Sequence, residues 1–109
     1  MTNNIMSMNE RGQAFETKFA MDQEAAFRLN ALTNKLVGTW AGEQLGLTGG
    51  ELDSFLSHFL EDTIKVSAKE EIKQRILSDF AANNIEITEH AIEKVFRKMA
   101  AKAHSQMMQ

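Results

Sequence analysis

Cysteine, proline and tyrosine are all absent from the 109 residues, and there is one tryptophan. Without cysteine there is no disulfide framework, no thiolate nucleophile and no thiolate metal site, which fits a reducing compartment. Without proline over this length, long helices are favoured over a turn-rich β architecture. No apolar run approaches the roughly 20 residues needed to span a bilayer. The first nine residues lack a basic stretch followed by an apolar one, so no secretory signal is read. A cytoplasmic protein is expected, with no direct membrane insertion. The net charge is −3, whereas phosphate-backbone binding shows as a basic domain, so nucleic acid is not expected as a partner. The hydrophobic fraction is 43% and the charged fraction 25%, which suits one soluble globular domain with a modest core.

What is present is helical periodicity. Residues 1–9 carry no pattern and read as a disordered start, with a helix beginning near residue 8 through the capping-box spacing of Ser7 and Glu10. Phe15 and Phe19 lie four apart, then the stripe thins to Ala25, Ala26 and Phe27. Leu29, Leu32, Leu36 and Trp40 follow at helical spacing, and Gly46 is placed to cap the C-terminus in the left-handed conformation. Gly12 and Gly38 are interior glycines, each costing about 1 kcal/mol relative to alanine.

A second helix is expected after Thr48, whose spacing to Glu51 forms a capping box, and it ends near Thr63. Ser67 with Glu70 opens a third, and the Asn83-Asn84 pair stops it. Thr88 caps a fourth, which frays from Ser105. The connections are short, so neighbouring helices run antiparallel. The predicted fold is all-α, a four-helix bundle with a partly mobile N-terminal arm. Residues 1–19 form the arm and residues 20–109 the single bundle domain. The expected core is Leu29, Leu32, Leu36, Trp40, Leu52, Phe55, Leu56, Phe59, Ile72, Ile76, Phe80, Ile92, Val95, Phe96 and Met99.

A catalytic or metal site needs convergent polar groups, and the sequence offers few. His58, His90 and His104 are far apart, and no Glu-x-x-His pair of the di-iron bundles exists. His58 precedes Glu61 and Asp62 on one helix, which reads as a surface pair. Gly49-Gly50 lacks the lysine and preceding strand of a phosphate loop. No metal site, cofactor or enzyme activity is expected. On the last helix His90, Lys94 and Arg97 share one side, flanked by Lys98 and Lys102. That side suits an anion, a nucleotide phosphate or an acidic surface. The plainer reading is a solvated face with Glu93 supporting Arg97 one turn on, and it is preferred because charge runs on exposed helix faces are usual. The Phe15–Phe19 pair suits either helix-in-groove binding or ordinary packing on the bundle, and pattern alone leaves both open.

Three blocks resemble a known family. Arg11 with Ala14-Phe15-Glu16-Thr17-Lys18-Phe19-Ala20 and Asp22 is the first; Asn34-Lys35-Leu36-Val37-Gly38-Thr39-Trp40-Ala41 is the second; Leu45-Gly46-Leu47-Thr48-Gly49 is the third. They are similar to the zeta inhibitor subunit of the alpha-proteobacterial ATP synthase, over about residues 10–107, with a looser match in the last helix at Glu89-His90, Ile92 and Lys98-Met99. The resemblance implies a four-helix bundle that blocks ATP hydrolysis by inserting its N-terminal helix at a catalytic alpha/beta interface near the rotor gamma subunit, sparing synthesis. It implies inhibitory contacts at Arg11, Phe15, Glu16, Lys18 and Phe19. It also implies weak ADP or ATP binding, for which His90, Lys94 and Arg97 are the candidates here, and a free monomer that joins the synthase at the cytoplasmic face of the inner membrane. Two departures stand out: Gly12 replaces charged helix formers, and the segment Lys65-Val66-Ser67 lacks the family's Pro-Gly.

Overall fold

A computed structural model describes the backbone of residues 2–65 and 69–108, and the side chains of residues 23–65 and 69–108. The elements are α1 (Thr2–Gln44), α2 (Gly49–Lys65), α3 (Lys69–Ala82) and α4 (Glu89–Met107), and no strand occurs among the described residues. The expected arm at residues 1–19, the Ser7–Glu10 and Ser67–Glu70 boxes and the Phe15–Phe19 pair lie outside the described side chains.

The stops are set by local chemistry. At the end of α1 the Leu47 amide donates to the Gly42 carbonyl and the Gly46 amide to that of Glu43, both at 3.0 Å. Gly46 sits at φ +81°, so the orphan carbonyls are closed by a Schellman turn that a side chain would strain. The same turn ends α3, with Asn84 at φ 60° and the Ile85 amide on the Phe80 carbonyl at 2.8 Å. Asparagine serves there because its short polar side chain tolerates the left-handed region. Thr88 caps α4, its hydroxyl accepting from the Ala91 amide at 3.0 Å. The expected fraying from Ser105 is not seen: α4 runs to Met107, and the Met108 amide closes onto the His104 and Ser105 carbonyls.

Short connections, four residues after α1 and six after α3, return each chain segment beside the last. α1 packs mainly against α4 and α2, while α3 reaches α4. The enclosed core is Val37, Ala41, Phe59, Ile72, Ile76, Phe80, Ile92 and Phe96, with Trp40, Phe55, Leu77 and Met99 partly covered around it.

α1 departs from its expected face. Val37 and Ala41 are fully enclosed, with Thr33, Gly38 and Gly42 also buried, whereas Leu29, Leu32 and Leu36 are half-buried on the flank. The reason is steric. A Cβ on Gly38 would lie 2.6 Å from Phe59 Cδ2 and 2.9 Å from Leu56 Cδ1, and one on Gly42 would run into Leu52 and Phe55. Small residues occupy the line of contact so that α2 can lie against the α1 backbone, and the leucines fill the sides. Trp40 leans on Phe80 with ring centroids 5.5 Å apart. Leu52, Leu56 and Val95 are likewise half-buried. So is Phe55, because Arg75 covers it: the guanidinium lies 5.7 Å from the Phe55 ring centre and 5.2 Å from that of Phe59.

Phe59 is therefore the residue whose loss should be felt most. Phe59→Ala should destabilise by about 3–5 kcal/mol in urea unfolding. Gly38→Ala should also destabilise, by about 1–3 kcal/mol from overpacking, although alanine is the better helix former by about 1 kcal/mol. A stabilised Gly38→Ala protein would mean that α2 does not approach as closely as described.

Candidate functional site

The charged residues of α4 are sorted by side. Its two acids turn to α3: Glu89 accepts from Gln74 Nε2 at 2.9 Å and Glu93 from Lys73 Nζ at 2.7 Å. Lys73 is 5% exposed and also meets Glu70 at 3.0 Å. A buried ammonium requires such partners, because removing one would leave an uncompensated charge. The hydrogen bond it donates to Glu93, then that to Glu70, holds the Lys73 ammonium above its ordinary range. The Glu93 carboxyl is held below its own, first by the Lys73 hydrogen bond and then by the charge of Lys73.

The pairing leaves α4's outer face basic. His90, Lys94 and Arg97 are exposed, as are Lys98 and Lys102, and the three candidates share one side of the helix. The expected support of Arg97 by Glu93 is not formed, since Glu93 is taken by Lys73; among the described residues Arg97 has no ion pair. Sequence reasoning missed Lys73 because its two acids come from different helices, Glu70 three residues back and Glu93 across the interface.

The His58 pair is also different. His58 Nδ1 donates to the Ser54 carbonyl at 2.9 Å, and Asp62 instead pairs with Arg75, which reaches on to Asp79 at 3.4 Å. Arg75 thereby ties α2 to α3, and a cleft of about 240 Å³ lies beside it between Phe59, Thr63 and Ile72. A larger groove of about 630 Å³ opens between α1, the end of α2, the start of α3 and α4, and Arg97 stands at its edge. Among the described residues no three His, Asp or Glu side chains gather as metal ligands. Nor is any described helix long and apolar enough to cross a membrane.

The described side chains of α1 ahead of Leu29, residues 23–28, are all exposed. Arg28 pairs there with Glu24 at 3.2 Å, on the helix surface. α1 is 43 residues long, about 64 Å, and its described side chains come under the cover of the bundle only from Leu29 on. The described residues thus form a helical bundle in which α1 is exposed ahead of Leu29 and α4 carries exposed bases beside a groove. The chain belongs to the family ATPase inhibitor subunit zeta, whose pattern matches residues 5–106. Its role is that of an inhibitor subunit acting on an ATP synthase, and that role is non-catalytic. No curated protein and no solved structure is similar enough to this chain to match it.

The Lys73–Glu93 pair makes stability depend on pH in a definite direction. Glu93, depressed in the folded protein, contributes above its ordinary value of 4.5, and that contribution is lost as pH falls through the lower folded value. Lys73, raised, contributes below its ordinary 10.5 and loses this as pH rises through the higher folded value. Glu93→Gln should therefore lower the urea midpoint between pH 5 and 10, with the gap to the parent protein closing below about pH 4. A gap that stayed constant into acid would exclude the ion pair as its cause. Lys94→Gln and Arg97→Gln, at exposed positions, should each shift stability by no more than about 0.5 kcal/mol.

Proposed function

We infer that this chain blocks ATP hydrolysis by the bacterial ATP synthase by inserting the N-terminal part of α1 at a catalytic alpha/beta interface beside the rotor gamma subunit. Family membership supports the inhibitory role. The observation that supports the route is the run of exposed side chains at residues 23–28, where α1 has left the cover of its own bundle. A helix with few apolar neighbours has little reason to dock on its own bundle and good reason to dock elsewhere. An isolated helix is marginal in water, so a partner surface would supply the burial that orders it.

In this reading residues 1–19 are the inhibitory arm and residues 20–109 the bundle that carries it. Arg11, Phe15, Glu16, Lys18 and Phe19 make the contacts, and each buried phenylalanine contributes about 1.5–3 kcal/mol. The arm acts as a one-way stop: it wedges the interface in the hydrolytic direction and is pushed out in the synthetic one. The chain is a monomer when free and works at the cytoplasmic face of the inner membrane, where it joins the synthase. A second reading, ADP or ATP bound weakly at His90, Lys94 and Arg97, is favoured by the absence of an ion pair at Arg97 among the described residues. Saturable, localised chemical-shift changes at millimolar ADP would support it.

The decisive measurement is ATP hydrolysis by the cognate synthase head with and without this protein. Phe15→Ala combined with Phe19→Ala should weaken inhibition strongly with a modest loss in thermal stability. A chain lacking residues 1–19 should melt as a folded bundle and no longer inhibit; full inhibition by that chain would end the insertion mechanism.

A further inference from the structure

Among the described residues the two most exposed large apolar side chains are Phe27, at 75%, and Ile64, at 82%, and they stand on the same groove. Its floor is apolar, made by Leu29 of α1, Ile72 of α3 and Phe96 of α4. The volume, about 630 Å³, accommodates several large side chains. An apolar floor with exposed apolar walls marks an interaction surface rather than a solvated face. Among the described residues the charged groups that line it are Lys69 and Arg97, both cations, and no acid lines it. Lys69 holds its ammonium 5.1 Å from the centre of the Phe96 ring, and neither cation has an ion pair among the described residues. This polarity runs against the chain's net charge of −3, and it exists because Glu89 and Glu93 are turned to Gln74 and Lys73.

The geometry points to a docking site for an acidic amphipathic helix of a partner protein: large apolar residues on one face, flanked by aspartate or glutamate. A helix is the form that fits, because the backbone around the groove is helical and its hydrogen bonds are closed within each helix. No strand edge is offered among the described residues, so the partner has to satisfy its own backbone. Among the described residues a second copy of this chain offers no such helix. The acids of α2 and α3 flank apolar stripes whose main members, Phe59, Ile72, Ile76 and Phe80, are already enclosed in the core. The inference concerns the bundle and stands apart from the arm's mode of inhibition.

The test uses the full isotope-labelled chain and two synthetic peptides of about 18 residues, long enough to form a helix. Both carry the same leucine stripe, one flanked by glutamates and the other by lysines. The glutamate peptide should give saturable shifts at Phe27, Ile64, Lys69 and Arg97 and none at His58 on the far side, and it should bind about tenfold more tightly than the lysine peptide. Lys69→Glu with Arg97→Glu should invert that preference, while Phe27→Ser with Ile64→Ser should remove binding of both. A thermal melt of each variant separates a lost groove from a lost fold, and the two peptides on the parent chain decide the matter without any variant. Equal affinity for the peptides, shifts centred elsewhere or no saturation would overturn the proposal. Shifts at Phe27 and Ile64 that change on dilution of the free chain would overturn it too, by making the occupant a second copy.

Discussion

Where α1 crosses α2, hydrogen atoms stand in place of side chains at Gly38 and Gly42, and the arrangement of the whole bundle follows from that contact. With no Cβ at Gly38, the Phe59 ring lies against the α1 backbone and becomes one of the most enclosed side chains in the molecule. With Phe59 seated, the line through Val37 and Ala41 is drawn into the core. Each glycine weakens the helix locally by about 1 kcal/mol, and the enclosed phenylalanine offsets this. The same pattern explains why the leucines of α1 lie on its flanks: close approach excludes bulk from the line of contact.

A second constraint is electrostatic. Lys73 emerges between Ile72 and Ile76, where the interface leaves it almost no water. Its charge is held by acids from two helices, and this fixes how α3 lies on α4. The two acids of α4 are engaged by Gln74 and Lys73, and the charged groups that line the neighbouring groove among the described residues are cations, so a chain that is acidic in total presents a basic margin beside an apolar groove. The polarity is thus a by-product of a packing contact made one turn away on the same helix.

The third feature is a mismatch of length. α1 is 43 residues long against 17 for α2, and its described side chains ahead of Leu29, residues 23–28, are exposed throughout. For an inhibitor subunit this division suits the task. The enclosed core on α1 begins at Val37, so the stretch ahead of Leu29 adds little to it. The groove lies beside the exposed stretch of α1, lined by Phe27 and Leu29 together with Phe96 and Arg97 of α4.

Much of this was legible in the residues. Gly46, Asn84 and Thr88 act where they were expected to, since capping depends on atoms a few positions apart in the chain. Three helical stripes, those around Phe59, Ile76 and Phe96, were readable because a one-sided apolar pattern has a single way to be buried. The family was readable as well, because its blocks are contiguous. The rotation of α1, the pairing of Lys73, the cover of Phe55 by Arg75 and the groove below Arg97 were not. Each depends on which faces meet across space, and residues distant in sequence carry no spacing that reveals it. The sequence by itself thus determined four helices, their stops and the family to which they belong. Tertiary structure alone decided which side of α1 is buried and where an acidic chain becomes basic, because helix packing selects a line of close approach, and periodicity records only that an apolar side exists.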